Sequence, residues 1–322
     1  MSAVSKAKIA MYWAGSCGGC DISLLEIGPH LLELVAGADV VFWPCAADFK
    51  YHHVAGYPDG YIDLCLFNGS VRNSEQERLA RLLRQKSKTL VAYGACAISG
   101  GIPALANLAT PDEVFARSYT ECPSVDNPDG VLPRPRTEVA VGELEIPHFY
   151  PQVLRLSDIV EVDYLIPGCP PQAARVWEVC QAFLSGALPA RAPAQLAGCT
   201  GKSVCDECAL EKRLAKISGF RRPHEAIPEP GWCLLEQGFV CLGAATRSGC
   251  GALCTKVNMP CRGCYGPAGE AGDQGAAFIG ALGSLLDAEV EERAQELIDQ
   301  IVDPVGTFYR FTMSDGDLKG RR

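Results

Sequence analysis

The sequence has no surplus of positive charge. Its net charge is −9 at pH 7. No stretch concentrates lysine and arginine into the basic surface that a phosphate backbone requires, so a nucleic-acid partner is excluded. Long hydrophobic runs are also missing: nowhere do 18 apolar residues follow one another, which excludes a membrane-spanning helix. No charged start followed by an apolar stretch opens the chain. The segment IAMYWAG at 9–15 is too short, and too soon followed by cysteines, to act as an export signal. The paired arginines Arg221-Arg222 and Arg321-Arg322 lie far from the start, so no twin-arginine signal is present. A cytoplasmic location is the expectation. Histidine is scarce, with five residues and no HxxxH spacing, so a histidine-built metal site is not expected. His52-His53 reads as a loop pair beyond a strand end.

Cysteine is abundant. Seventeen occur in 322 residues, and in a reducing compartment that number points to metal or redox chemistry rather than disulfides. Eight of them, Cys205, Cys208, Cys233, Cys241, Cys250, Cys254, Cys261 and Cys264, fall within 60 residues. Each iron at a cubane corner takes one thiolate, so eight thiolates match two four-iron clusters. Cys17 and Cys20 in GSCGGCD, Cys96 in GACAISGG and Cys169 in PGCPP bring the total to twelve, enough for three clusters in one chain. Such a chain is most simply a wire.

Short apolar runs alternate with helical patterns from residue 8 to about 187. Strands are expected at 8–15, 38–44, 62–71, 89–96 and 162–169, and helices at 22–35, 74–86 and 172–184. This alternation predicts an α/β fold, a flavodoxin-like doubly wound parallel sheet. Ligands of such sheets bind beyond the carboxyl ends of the strands. Cys17, Cys96 and Cys169 each directly follow a strand, so residues scattered along the chain become one site. A Pro-rich excursion spans 123–151. An Ala- and Pro-rich linker (188–197) leads into the cysteine-dense segment, which has little apolar periodicity and is expected to be organised largely by its metals. The domains read as 1–187 (flavodoxin-like), 188–270 (iron-sulfur, with little regular structure) and 271–322 (a helical tail with a frayed end).

The strings GSCGGC at 15–20, GACAISGG at 94–101 and IPGCPP at 166–171 resemble the small subunits of [NiFe] hydrogenases and, more distantly, the cluster subunit of respiratory complex I. The resemblance implies that Cys17, Cys20, Cys96 and Cys169 ligate a proximal [4Fe-4S] cluster facing a nickel-iron centre in a separate large subunit. By family order, Cys250, Cys254, Cys261 and Cys264 take the medial position and Cys205, Cys208, Cys233 and Cys241 the distal one. Common relatives have a histidine where Cys205 stands and a three-ligand, three-iron medial cluster. Four cysteines here imply three [4Fe-4S] clusters. MPCRGCYGP at 259–267 looks most like the cytosolic, F420-non-reducing subgroup. That likeness implies two partners: the large subunit, and an electron acceptor of the [2Fe-2S] or heterodisulfide reductase type.

Spacing alone leaves the partition of the eight C-terminal cysteines open, and an all-thiolate zinc site fits the CxxC pairs equally well. Two other functions stand beside the relay. One is a quinone-coupled, complex I-like subunit, opposed by the spaced Cys17/Cys20 pair and the eight downstream cysteines. The other is a zinc-stabilised scaffold or regulatory hydrogen sensor. Of the remaining cysteines, Cys65 and Cys180 read as buried structural thiols, and Cys45 and Cys199 as non-ligands. Asp21 and Glu26 read as acids favoured by the helix dipole rather than as proton carriers.

Overall fold

The structure is a computed structural model that describes residues 6–190, 194–269, 271–288 and 290–318. Its strands are β1 (Ala7–Trp13), β2 (Ala38–Phe42), β3 (Ile62–Asn68), β4 (Val71–Asn73), β5 (Ser87–Tyr93), β6 (Arg136–Val139), β7 (Gly142–Glu145), β8 (Phe149–Leu154), β9 (Tyr164–Ile166) and β10 (Gln195–Leu196). Six form one sheet in the order β10-β9-β5-β3-β1-β2. Every pairing in it is parallel. The chain leaves β1 first toward β2 and then toward β3 on the other side. The carboxyl ends of β1 and β3 therefore flank the crevice where such sheets bind their ligands.

The strands are apolar on both faces because helices cover both faces. Ile9, Met11, Leu64, Leu66, Val91 and Tyr93 pack against Leu24, Leu34, Val176 and Val179 of helices Gly19–Leu25, His30–Gly37 and Ala173–Leu184. Their alternates Ala10, Tyr12, Cys65, Phe67, Leu90 and Ala92 meet Leu79 and Leu83 of the helix Ser74–Lys86. That helix starts where expected because the Asn73 side chain accepts the Gln76 amide at 2.9 Å.

Three local expectations change. The helix read across 22–35 is two, broken at Gly28, whose φ of 64° is left-handed, and at Pro29, which lacks an amide donor. The stretch read as a linker contributes β10, which extends the sheet beside β9; residues 191–193 of it lie outside the described residues. The tail is not frayed through residue 318. Phe308, Tyr309, Phe311 and Met313 are buried, and the Ser314 hydroxyl donates to the Val153 carbonyl at 2.7 Å.

The cysteine-dense segment shares a core with the tail. Val204, Ile217, Leu234, Phe239 and Leu242 bury against Phe278, Leu282, Phe308 and Met313 from the tail. No helix among the described residues is long and apolar enough to cross a membrane.

Candidate iron-sulfur site

The first group of thiols lies at the carboxyl edge of the sheet. Cys17 sits in the loop after β1 and Cys20 in the helix Gly19–Leu25. Cys96 is the second residue of the helix Ala95–Ser99 after β5, and Cys169 follows β9. Glycine makes the convergence possible. Gly94 has a φ of +89°, and a Cβ on it would stand 2.4 Å from the Cys20 sulfur; a Cβ on Gly101 would stand 2.5 Å from that of Cys96. Burial pushes the Cys20 thiol well up, and the charges of Cys96, Cys169 and Cys17 add to the effect. Cys96 is pushed up to about 12 by burial and then by Cys169 and Cys17, while the Ile102 amide pulls the other way. Four such thiolates need a cationic partner to exist together.

Asp21 is more than a first-turn helix acid. It is buried, and its two carboxylate oxygens accept from Trp43 Nε1 at 2.7 Å and Asn68 Nδ2 at 2.8 Å. Asn68 Oδ1 in turn accepts the Ser16 hydroxyl at 2.9 Å. This network ties the cysteine loop to the ends of β2 and β3. The partners lie 22 and 47 residues from Asp21, and only the charge between a CxxC pair and an apolar helix hinted at them. Glu26 is exposed at the end of its helix, and His52 and His53 are exposed in the short helix Tyr51–Ala55.

Cys205, Cys208, Cys233 and Cys241 line one small cavity in the C-terminal region. A Cβ on Gly243 would lie 3.2 Å from the Cys205 sulfur and 3.8 Å from that of Cys241. Burial raises Cys205 to about 11, with Cys233 and Cys208 among its charged neighbours. The Cys208 thiol donates to the Thr255 hydroxyl at 3.2 Å.

Cys250, Cys254, Cys261 and Cys264 form a third group. Burial raises Cys250, which feels the charge of Cys254 and accepts from the amides of Ala252 and Leu253. Cys261, pushed up to about 12 by burial, has Cys264 and Cys254 as charged neighbours. The loop before it is shaped by Glu207, a residue inside the Cys205–Cys208 pair, which accepts from the Gly249 and Gly251 amides at 2.9 and 3.0 Å. The loop after it is held by buried Gln274, whose Nε2 donates to the Thr246 hydroxyl at 3.0 Å and to the Gly263 and Gly266 carbonyls at 3.1 Å.

The three groups follow one another in space. The Cys264 thiol is raised to about 12 by burial; a backbone bond from Cys169 lowers it, while the charge of Cys169, with those of Cys250 and Cys254, raises it. At the other end the Cys261 amide donates to the Cys241 sulfur at 3.2 Å. The third group thus lies between the first and the second. Among the described residues no three His, Cys, Asp or Glu side chains draw close enough to hold a single ion. Gathered thiols with amides aimed at sulfur are a donor set that fits a multi-iron centre.

Of the other cysteines, Cys199 lies against the third group, where a Cβ on Gly249 would stand 3.0 Å from the Cys199 Cβ. Cys65 and Cys180 are buried in β3 and in the helix Ala173–Leu184, and burial raises both thiols to about 12. Cys45 is exposed and Cys199 half-buried. Cys122 lies 3.2 Å from the Ser124 hydroxyl in the Pro-rich excursion.

The family model of the NADH ubiquinone oxidoreductase 20 Kd subunit matches residues 17–183. The iron-sulfur subunit of the F420-non-reducing hydrogenase of Archaeoglobus profundus is 40% identical over 316 residues, 95% of this chain and 96% of that protein. A subunit of the F420-non-reducing hydrogenase of Methanothermobacter marburgensis is 36% identical over 318 residues, 96% of this chain and 94% of its own. Among solved structures, a chain of an NAD+-reducing [NiFe]-hydrogenase in the H2-reduced state is similar with a TM-score of 0.50 and 30% identity, covering 57% of this chain and 94% of that one.

Proposed function

The chain belongs to the NADH ubiquinone oxidoreductase 20 Kd subunit family and, over nearly its whole length, to the iron-sulfur subunits of F420-non-reducing hydrogenases, and from that membership we propose that it is the electron-relay small subunit of a [NiFe] hydrogenase. In this reading Cys17, Cys20, Cys96 and Cys169 hold a proximal [4Fe-4S] cluster; Cys250, Cys254, Cys261 and Cys264 hold the medial one; Cys205, Cys208, Cys233 and Cys241 hold the distal one. When bound, such clusters carry one electron at a time at potentials set by sulfur hydrogen bonds, burial and net charge. The residues of this chain set those conditions through the amides of Ile102, Ala252, Leu253 and Gly263 at the sulfurs and the buried Asp21 beside Cys20.

The observation that carries the reading is the sequence of contacts from Cys169 to Cys264 and from Cys261 to Cys241. An ordered file of three thiol groups is what a relay requires and what a scaffold does not. A complex I-like subunit coupled to quinone would have no use for the eight cysteines beyond residue 204. The proximal edge is the face for a large subunit, because Cys17 is exposed there with Trp13, Ile22 and Ile102 around it. Permanent partners bury apolar surface of this kind. At the far end a [2Fe-2S] or heterodisulfide reductase-type subunit is the acceptor, in the cytoplasm. The domains are 1–187, 188–270 and 271–322.

Iron and acid-labile sulfide analysis tests the cluster count, with about twelve of each expected per chain. One or two equivalents of zinc with only four irons would refute the C-terminal assignment. Cys254→Ala tests the grouping. It leaves three thiolates at the medial position, so paramagnetic resonance of the oxidised variant should show a new three-iron signal; three intact four-iron clusters would remove Cys254 from the ligand set.

A further inference from the structure

A cavity of about 370 Å3 opens in the C-terminal region, lined by Arg221, Arg222, Arg262 and Arg310 together with His224 and Asp303. Its volume is within the range of small-molecule sites. Arg262 directly follows Cys261 in the chain. Asp303 is the one carboxylate in the lining, and its Oδ1 accepts the Gly306 amide at 2.9 Å. Glu225 lies nearby, its Oε2 taken by the Arg222 amide at 2.7 Å and its Oε1 3.9 Å from His224. Arg221 stacks over the Phe239 ring at 5.9 Å. Among the described residues, Arg222, Arg262 and Arg310 form no ion pair with any carboxylate. Arg310 Nε is buried with no hydrogen-bond partner at all.

This is unusual for a chain with 38 acidic and 29 basic residues. Other arginines do find acids, Arg213 pairing with Glu211 and Glu229 and Arg155 with Asp158 and Asp315, although the buried guanidinium of Arg72 lies against the Phe149 ring with no hydrogen-bond partner. Four guanidinium groups converging without a matching acid repel one another in a partly desolvated site, and a buried donor left unmade is costly. An anion in the cavity would relieve both. Guanidinium presents its donors as a planar fork suited to phosphate oxygens, and Phe220, Val240, Ile301 and Val302 complete the walls.

We propose that this cavity binds a compact phosphate-class oxyanion carrying two or more negative charges, gripped by Arg222, Arg262 and Arg310. Free inorganic phosphate or pyrophosphate and the phosphates of a nucleotide share this chemistry. The test is calorimetric titration of the cluster-loaded chain in complex with its large subunit, at low ionic strength, with phosphate, pyrophosphate and ATP in turn. At least one should bind saturably at one per chain. Arg310→Gln and Arg222→Gln should each weaken it about ten-fold, and Arg310→Lys less, at unchanged iron content. ATP binding more tightly than pyrophosphate identifies a nucleotide as the source, and the reverse order an inorganic anion. No saturable binding, or binding that neither Gln variant weakens, overturns the proposal. Loss of subunit association in Arg222→Gln also overturns it, since the cavity would then receive a partner's carboxylate.

Discussion

The two halves of the chain assemble a thiol site by opposite means. In the N-terminal half the sheet is complete without its cysteines. Two apolar cores close on its faces, and Cys17, Cys96 and Cys169 are placed by strand ends that would stand where they are whatever followed them. In the C-terminal half the thiols sit in loops with little regular structure, and the core beneath those loops is borrowed. Phe278, Leu282, Phe308 and Met313 come from helices and turns beyond Cys264. A sheet can present a site at its edge because its own packing keeps it ordered; a loop region needs packing from elsewhere.

Removing the tail is the largest break this comparison predicts. A chain ending at residue 271 should keep the sheet and about four irons and lose the other eight, as read by iron analysis, because no core remains under the loops. A truncated chain that still loads about twelve irons would show that metal alone organises the segment. Stripping iron by chelation from the full chain is the converse. Amides of the helix Gln274–Gly283 should stay protected from hydrogen exchange while those of 205–208 and 250–264 open, since the buried tail core does not depend on thiolate bonds.

Gly94→Ala strikes the other half. A methyl group forced onto a backbone at φ 89° and ψ 162°, a region that only glycine adopts readily, costs about 1–3 kcal/mol, and here it would also meet the Cys20 sulfur. The expected outcome is loss of the proximal irons with the sheet's circular dichroism intact. Asp21→Asn is smaller. It keeps the shape but turns an amide toward the Trp43 or Asn68 donor, a loss of about 1–3 kcal/mol, measured as a lower melting midpoint and a shifted Trp43 fluorescence. Glu207→Gln is the mildest: it can still accept one of the two loop amides at Gly249 and Gly251 and should cost about 1 kcal/mol. Its effect should be confined to the C-terminal irons.

The parallel sheet was legible because strands buried on both faces read as unbroken apolar runs. The first site was legible because cysteines followed those runs directly. The broken helix at Gly28-Pro29 was visible in principle in the residue types themselves. Strand β10 was not: two residues in a stretch rich in alanine and proline carry no period, and they pair only because β9 presents an open edge. The tail was unreadable for a similar reason. Pro304–Phe308 is one short turn of helix, and its role appears only when Phe308 and Met313 are seen beneath the cysteine loops.

The sequence by itself determined that this chain carries twelve well-placed thiols, that three glycine-marked turns bring four of them to one sheet edge, and to which family it belongs. These are matters of residue type and local spacing, which a linear string records. Only the tertiary structure decided how the thiol groups succeed one another through Cys169, Cys264, Cys261 and Cys241, that Asp21 is a buried anchor with both oxygens engaged, and that four arginines from three segments face one cavity. Each of those depends on contacts between residues far apart in the chain, which are settled by which surfaces can be buried together rather than by any local pattern.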